Sequence, residues 1–290
     1  MKRYQSGLDL RRALEVRLKR ESEQDGSDLG RLRRRVVFDR LAVRLASDPE
    51  QSWILKGGAA LEFRLYPRAR ATKDIDFALS AGLIDGAAVR DRLIDALAED
   101  PDGDWFSFRV SPPATLAPDA AGRGAWRYSV EAMLGGKPFA GVRLDVAARS
   151  EELAATEQLE LPGSLRFAGI PARAIEAVDR CQHFAEKLHA LTRDYGNRPN
   201  TRVKDLVDLV LLVEDGLTAD TTLVIVVRHV FDARNTHPLP ASIADPPPLW
   251  RTQYPEAAAH LTQTPADLPA ALALVRAFWN TALDDATRTE

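Results

Sequence analysis

Apolar and polar positions alternate in two different rhythms along the 290 residues. The first half mixes helical spacing with short period-two runs, which read as strands. The second half is almost wholly helical in spacing. Helices are predicted over 8–22 and 28–47, with the charged link Glu21–Ser27 between them. Trp53-Ile54-Leu55 reads as a buried strand, Gly57-Gly58 as a turn, and 59–65 as a helix. Asp74 and Asp76 then alternate with Ile75 and Phe77, the pattern of a second strand. A helix over 85–99 leads through Pro101-Asp102-Gly103-Asp104 to a strand over 105–110 and a loop over 111–124. Strands over 126–134 and 138–147 flank Gly135-Gly136-Lys137, a hairpin signature. Further on, Val178, Cys181, Phe184, Ala185, Leu188 and Leu191 form one helical stripe, and Val203, Leu206, Val207, Val210 and Leu211 another. Helices over 219–234 and 266–284 enclose the proline-rich loop 237–248. The prediction is an α/β (α+β) fold, with a mixed core domain over 1–172 and a helical domain over 173–290.

Candidate chemistry concentrates between Trp53 and Leu79. Residues two apart on a strand share a face, so Asp74 and Asp76 stand side by side and repel each other unless a cation joins them. Such a pair suits Mg²⁺, an ion of hard oxygen ligands that leaves room for substrate phosphates. Gly57 and Gly58 fall at a strand-to-helix turn, where a phosphate can approach backbone N–H groups and a helix N-terminus. Lys56 precedes them. On the later hairpin, Arg143 and Asp145 share one face and Leu144 and Val146 the other. Asp145 is the candidate third metal ligand and base of a two-metal site, with Glu131 on the partner strand as its substitute. Taken alone, a Gly-Gly turn and an Asp-x-Asp strand are common scaffold features; their combination points to nucleotide chemistry.

Lys-Gly-Gly-x-x-Leu followed by Arg-x-Thr-x-Asp-Ile-Asp resembles the AbiEii/AbiGii-type nucleotidyltransferase toxins, whose mycobacterial relatives are called MenT toxins. The similarity continues in Ala185-Glu186-Lys187-Leu188-His189-Ala190-Leu191 and in Arg202-Val203-Lys204-Asp205-Leu206-Val207-Asp208-Leu209. It implies a polymerase-β-like nucleotidyltransferase core with a helical C-terminal region, acting as the toxin of a two-gene toxin–antitoxin system. It further implies transfer of a nucleotide from an NTP to the 3′ end of tRNA, which blocks aminoacylation and translation, and a cognate antitoxin as partner. Residue by residue, Thr72 matches the hydroxyl position before the acids, and Asp74 and Asp76 the metal pair. Lys187 matches a lysine that contacts nucleotide phosphates, and Asp205 and Asp208 the acids of the last block. Arg202 and Lys204 of that block join Lys56, Gly57, Gly58 and Thr72 as expected nucleotide contacts. One departure stands out: Ala59 follows the glycines, where many nucleotidyltransferases carry Gly-Ser.

A net charge of −3 conceals a basic N-terminal stretch from Arg11 to Arg44 and a second cluster at Arg193, Arg198, Arg202 and Lys204. Either can serve an RNA backbone or simply present a solvated face. The single cysteine, Cys181, excludes an internal disulfide framework and is read as a core residue. His183 and His189 lack a second ligand at metal spacing and are read as structural or surface residues. No apolar stretch spans a membrane and the N-terminus lacks an apolar signal core, so a cytoplasmic protein is expected. Two alternatives stay open. One is the same enzyme with a protein or small-molecule acceptor, the other a non-catalytic module that binds nucleic acid or the antitoxin. A metal-dependent nuclease has no need of the Gly-Gly turn.

Overall fold

The computed structural model describes residues 4–79, 85–116, 124–148 and 150–289. Its chain forms two compact units: Met1–Phe63, Ala71–Ser150 and Gln158–Ala177 make the first, and Arg64–Arg70, Glu151–Glu157 and Val178–Glu290 the second.

The first unit is built on a mixed sheet. Its helices are α1 (Gly7–Asp25), α2 (Leu29–Ala46), α3 (Gly57–Leu65) and α4 (Gly86–Ala98). Its strands are β1 (Trp53–Lys56), β2 (Asp74–Leu79), β3 (Phe106–Val110), β4 (Ala114–Thr115), β5 (Ala125–Leu134), β6 (Lys137–Ala147), β7 (Thr156–Glu160) and β8 (Ala174–Val178). The order is β3-β5-β6-β2-β1-β8-β7, with β4 beside β5. β2 runs parallel to β6 and antiparallel to β1. The helix ends follow from sequence: Ser6, Asp28 and Asp85 each accept a backbone N–H of the first turn of α1, α2 and α4. In the β5–β6 hairpin, Gly135 and Gly136 adopt φ of 59° and 75°, the pair of positive values a two-residue primed turn demands.

Ile75, Phe77, Tyr128, Val130, Leu144 and Val146 point to one side of this sheet and join Leu10, Leu14, Val36, Val37, Leu41, Val89 and Leu93 in a continuous core. Each large apolar side chain there is worth roughly 1.5–3 kcal/mol. A one-residue slip would turn all the strand residues outward, so the register is fixed and the acids of β2 and β6 are forced to the other face.

Two expectations change here. β7 and β8 are strands that the hydrophobic pattern did not announce. In α2 the basic stretch is largely internal bracing rather than a solvated face, whereas Arg12, Arg17, Lys19 and Arg20 of α1 are exposed. Arg40 and Arg44 are fully buried; Arg44 reaches both oxygens of Asp104 at 2.7 and 3.0 Å, and Arg40 pairs with Asp39 at 3.1 Å and Asp102 at 3.1 Å. Burial pushes the Asp104 carboxyl up, but the Arg44 and Arg40 contacts more than offset it and hold the group below its usual range. Arg31, Arg33 and Arg35 are paired with Glu62, Glu15 and Glu21. Of the predicted loop over 111–124, residues 117–123 lie outside the described residues, and Ala114–Thr115 form the short β4.

The second unit consists of α5 (Arg180–Thr192), α6 (Val203–Glu214), α7 (Thr221–Arg234), α8 (Trp250–Ala258) and α9 (Leu268–Thr289). α5, α6, α7 and α9 fall where helices were predicted, although Val178, placed in the first helical stripe, ends strand β8 instead; α8 was not foreseen. Among the described residues, no helix is long and apolar enough to cross a membrane.

Candidate active site

Strand register gathers the predicted carboxylates in the first unit. Asp76 stands opposite Asp145 across the parallel β2–β6 pair, and opposite Lys56 across β1–β2. Asp145 in turn stands opposite Arg127 of β5. One row thus reads Lys56, Asp76, Asp145, Arg127 across four strands, all on the face away from the core. The neighbouring row holds Asp74, Arg143 and Ser129. Glu131 lies one row further, opposite Gly141, so Asp145 is the acid beside the pair.

The charges are balanced from within. Arg127 grips Asp145 through two hydrogen bonds of 2.6 and 2.8 Å and approaches Asp74 at 3.9 Å, while Arg143 donates to Asp74 at 2.5 Å. The hydrogen bonds to Asp145, with the nearby charges of Asp145, Asp74 and Asp76, raise the Arg127 guanidinium further above its ordinary value despite partial burial. No group of three His, Cys, Asp or Glu side chains is gathered closely enough to hold a metal ion among the described residues. The donor chemistry nevertheless fits a hard divalent cation: three partly exposed carboxylates lie on the adjacent strands β2 and β6, and Asp74 and Asp145 hold guanidinium groups that a metal would replace.

α3 begins directly at Gly57, with no intervening loop. Gly57 has φ of 66°, and a Cβ there would lie 2.2 Å from Asp76 Oδ2. Only glycine lets the helix start this close to the carboxylate. The N-terminus of α3 therefore abuts Asp76. Thr72 turns its hydroxyl to the Asp74 carbonyl at 3.1 Å, and its N–H to the buried Glu62 at 3.3 Å. Lys56 is largely buried.

In the second unit, Lys187 of α5 lies between two acids of α6, 3.0 Å from Asp205 and 2.7 Å from Asp208. Arg70 forks onto Asp208 with two bonds of 2.8 Å, and Arg202 pairs with Asp205. Burial drives the Lys187 ammonium down, yet Asp208 and Asp205 outweigh it and hold the group above its ordinary value. Burial likewise pushes Asp208 up, and Lys187 and Arg70 reverse the sign. The helical wheel places Asp205 away from the core and pairs Lys204 with Asp208; instead both acids are buried against Lys187, and Lys204 is exposed.

His183 is buried and accepts from Arg64 at 3.3 Å through Nδ1, leaving Nε2 without a partner. Burial, then the Lys187 and Arg64 charges, pull its pKa down to about 3. His189 is buried too, bonded to Thr236 at 2.8 Å. Both histidines are therefore structural. Cys181 is only half-buried, a correction to its core reading, and burial and nearby acids push its thiol up to about 11.

Arg127 and Arg143 are the partners that motif reading left without a role. Arg143 shares the Asp145 face and was visible in the alternation. Arg127 was hidden by a register shift between Ala132 and Met133, which moves it opposite Asp145.

A mixed sheet with an Asp-x-Asp strand, a third carboxylate alongside, and a glycine-started helix packed on the pair defines a nucleotidyl-transfer class of site. The chain belongs to the AbiEii nucleotidyl transferase toxin family of type IV toxin–antitoxin systems, whose profile matches residues 40–284. It is a nucleotidyltransferase, and the resemblance carried by the sequence motifs is borne out. Among solved structures, it is similar to a putative nucleotidyltransferase from H. pylori, at 13% identity and a TM-score of 0.46 over 89% of this chain and 98% of that one. JHP933 from Helicobacter pylori matches at 12% identity and a TM-score of 0.43, covering 88% of this chain and 93% of that one. An antigenic nucleotidyltransferase-like protein from Paracoccidioides brasiliensis matches at 15% identity and a TM-score of 0.38, covering 69% and 88%. No curated protein matches the chain.

Proposed function

We propose that this chain transfers a nucleoside monophosphate from an NTP to the terminal ribose hydroxyl of an RNA, best suited to the tRNA 3′ end, and so halts translation in the cytoplasm until its antitoxin intervenes. The observation carrying this reading is the register that sets Asp76 against Asp145, with Asp74 beside them, on the sheet face opposite the main core. Asp74, Asp76 and Asp145 would hold Mg²⁺, which supplies Lewis-acid charge neutralisation at the triphosphate. Asp145 also accepts the proton of the attacking hydroxyl. Arg127 and Arg143, freed from their carboxylates, face the same space and offer planar donors to phosphate oxygens. The carry-over of Lys187, Arg202, Lys204, Asp205 and Asp208 to nucleotide handling belongs to the same proposal, and kinetics separates it from their bracing role. Lys187→Ala raises the KM for NTP if the lysine meets the nucleotide, and lowers only thermal stability if it does not.

The test mixes the protein with total tRNA, Mg²⁺ and each labelled NTP in turn, with an EDTA arm. Label entering tRNA only with Mg²⁺ supports the reading and names the nucleotide. Absence of label from every NTP overturns the tRNA acceptor.

A further inference from the structure

Beyond the carboxylate rows, the open face of the first unit continues into a groove of about 850 Å³. Its lining includes Arg34, Lys73, Arg109 and Arg143 against one acid, Glu131. Register gives the groove a direction. From Asp74, the row Asp74–Arg143–Ser129 leads to the row Gly141–Glu131–Arg109, and β6 supplies the floor from Arg143 back to Pro138. At about 3.3 Å per residue that floor runs about 17 Å. Arg143 belongs to both regions, lining the groove and donating to Asp74 at 2.5 Å.

We propose that this groove is the acceptor track, binding the phosphate backbone of the polynucleotide strand whose 3′ hydroxyl reaches the carboxylates. The inference rests on the RNA-acceptor reading above. The floor is long enough to follow a strand over more than one phosphate, and its basic residues are spread along it rather than gathered at one point. Charge complementarity selects a polyanion. Arg109 is 73% exposed in its side chain, Lys73 is exposed, and Arg34 is part-buried with only a long ion pair of 3.7 Å to Asp28. Ser111 and Ser129 add hydroxyls of the kind that meet phosphate and sugar oxygens. At the groove's middle Gly141 leaves the floor bare. A Cβ there would have its nearest neighbour 4.0 Å away, at the Val130 carbonyl, so glycine is not required by packing and a side chain added there fills the track rather than straining the fold.

The test measures fluorescence anisotropy of a labelled tRNA over a salt series, for wild type, Arg109→Glu, Gly141→Glu and Glu131→Gln, each checked by thermal melting. The proposal expects tRNA affinity to fall about tenfold or more in the first two variants, and the salt slope of Arg109→Glu to flatten by about one. Glu131→Gln, which removes the groove's acid, should bind more tightly. Wild-type affinity and slope in both Arg109→Glu and Gly141→Glu, in a protein that does label RNA, overturns the track and leaves the acceptor reading intact. A wild type that neither labels nor binds RNA overturns both.

Discussion

The two units hold their carboxylates in contrasting ways. In the first, Asp74 is 29% exposed and its partner Arg143 47% exposed. In the second, Asp208 is 1% exposed, locked between Lys187 and Arg70. Both sets are neutralised by cations, but water reaches only the first. An exposed pair contributes about 0–1 kcal/mol and can trade its cation for another. A buried pair is of order 3–5 kcal/mol costlier to break, because one charge is stranded without solvent. The same pairing chemistry is thus readily exchangeable on the sheet face and costly to break between the helices.

The largest expected effect comes from Asp76. Asp76→Ala should lower transfer at least about a thousandfold, several kcal/mol of barrier, with little change in melting; a melt lowered in proportion to activity would erase the contrast between the units. Asp208→Ala should do the opposite, removing about 3–5 kcal/mol of stability by denaturant titration because Lys187 and Arg70 lose their shared acid. The sign with pH follows. Asp208 is held low, so its contribution is full above the unfolded value of about 3.9 and is lost as pH falls through the lower folded value.

His183 sharpens the contrast at milder pH. Its folded pKa of about 3 lies below the unfolded 6.5, so the unfolded chain binds more protons between them and stability declines as pH drops through that window. His183→Gln should flatten that decline, read from melting temperatures at pH 4 to 7; an unchanged slope would mean the histidine is already charged in the fold. Gly57→Ala should cost about 1–3 kcal/mol, from positive φ and the Asp76 collision, and should lower transfer as well. Smallest of all, Arg109→Ala should leave stability within about 0.5 kcal/mol, since this pair with Glu131 is exposed.

Much of the fold was legible because local signals agreed: capped amphipathic helices, a Gly-Gly hairpin and alternating acids on β2. The missed elements lacked such signals. In β7, Thr156–Glu160, only Leu159 is buried, so no apolar alternation marks it. α8 carries Pro255 inside and follows three consecutive prolines. The burial of Asp205 and Asp208 was not legible because α6 is buried on nearly every side, with Lys187 of another helix supplying the counter-charge. Charge density was equally ambiguous in α2, where Arg40 and Arg44 serve the core. Asp74, Asp76 and Asp145 could be named from pattern, but their arginine partners depend on a bulge that sequence spacing does not reveal.

The most direct test of the central claim is Asp74→Ala assayed in parallel for label transfer to tRNA and for thermal stability. The account predicts that transfer is abolished while the melt shifts by no more than an exposed ion pair is worth, about 1 kcal/mol. Full transfer activity in this variant, or a collapse of the fold, would contradict it.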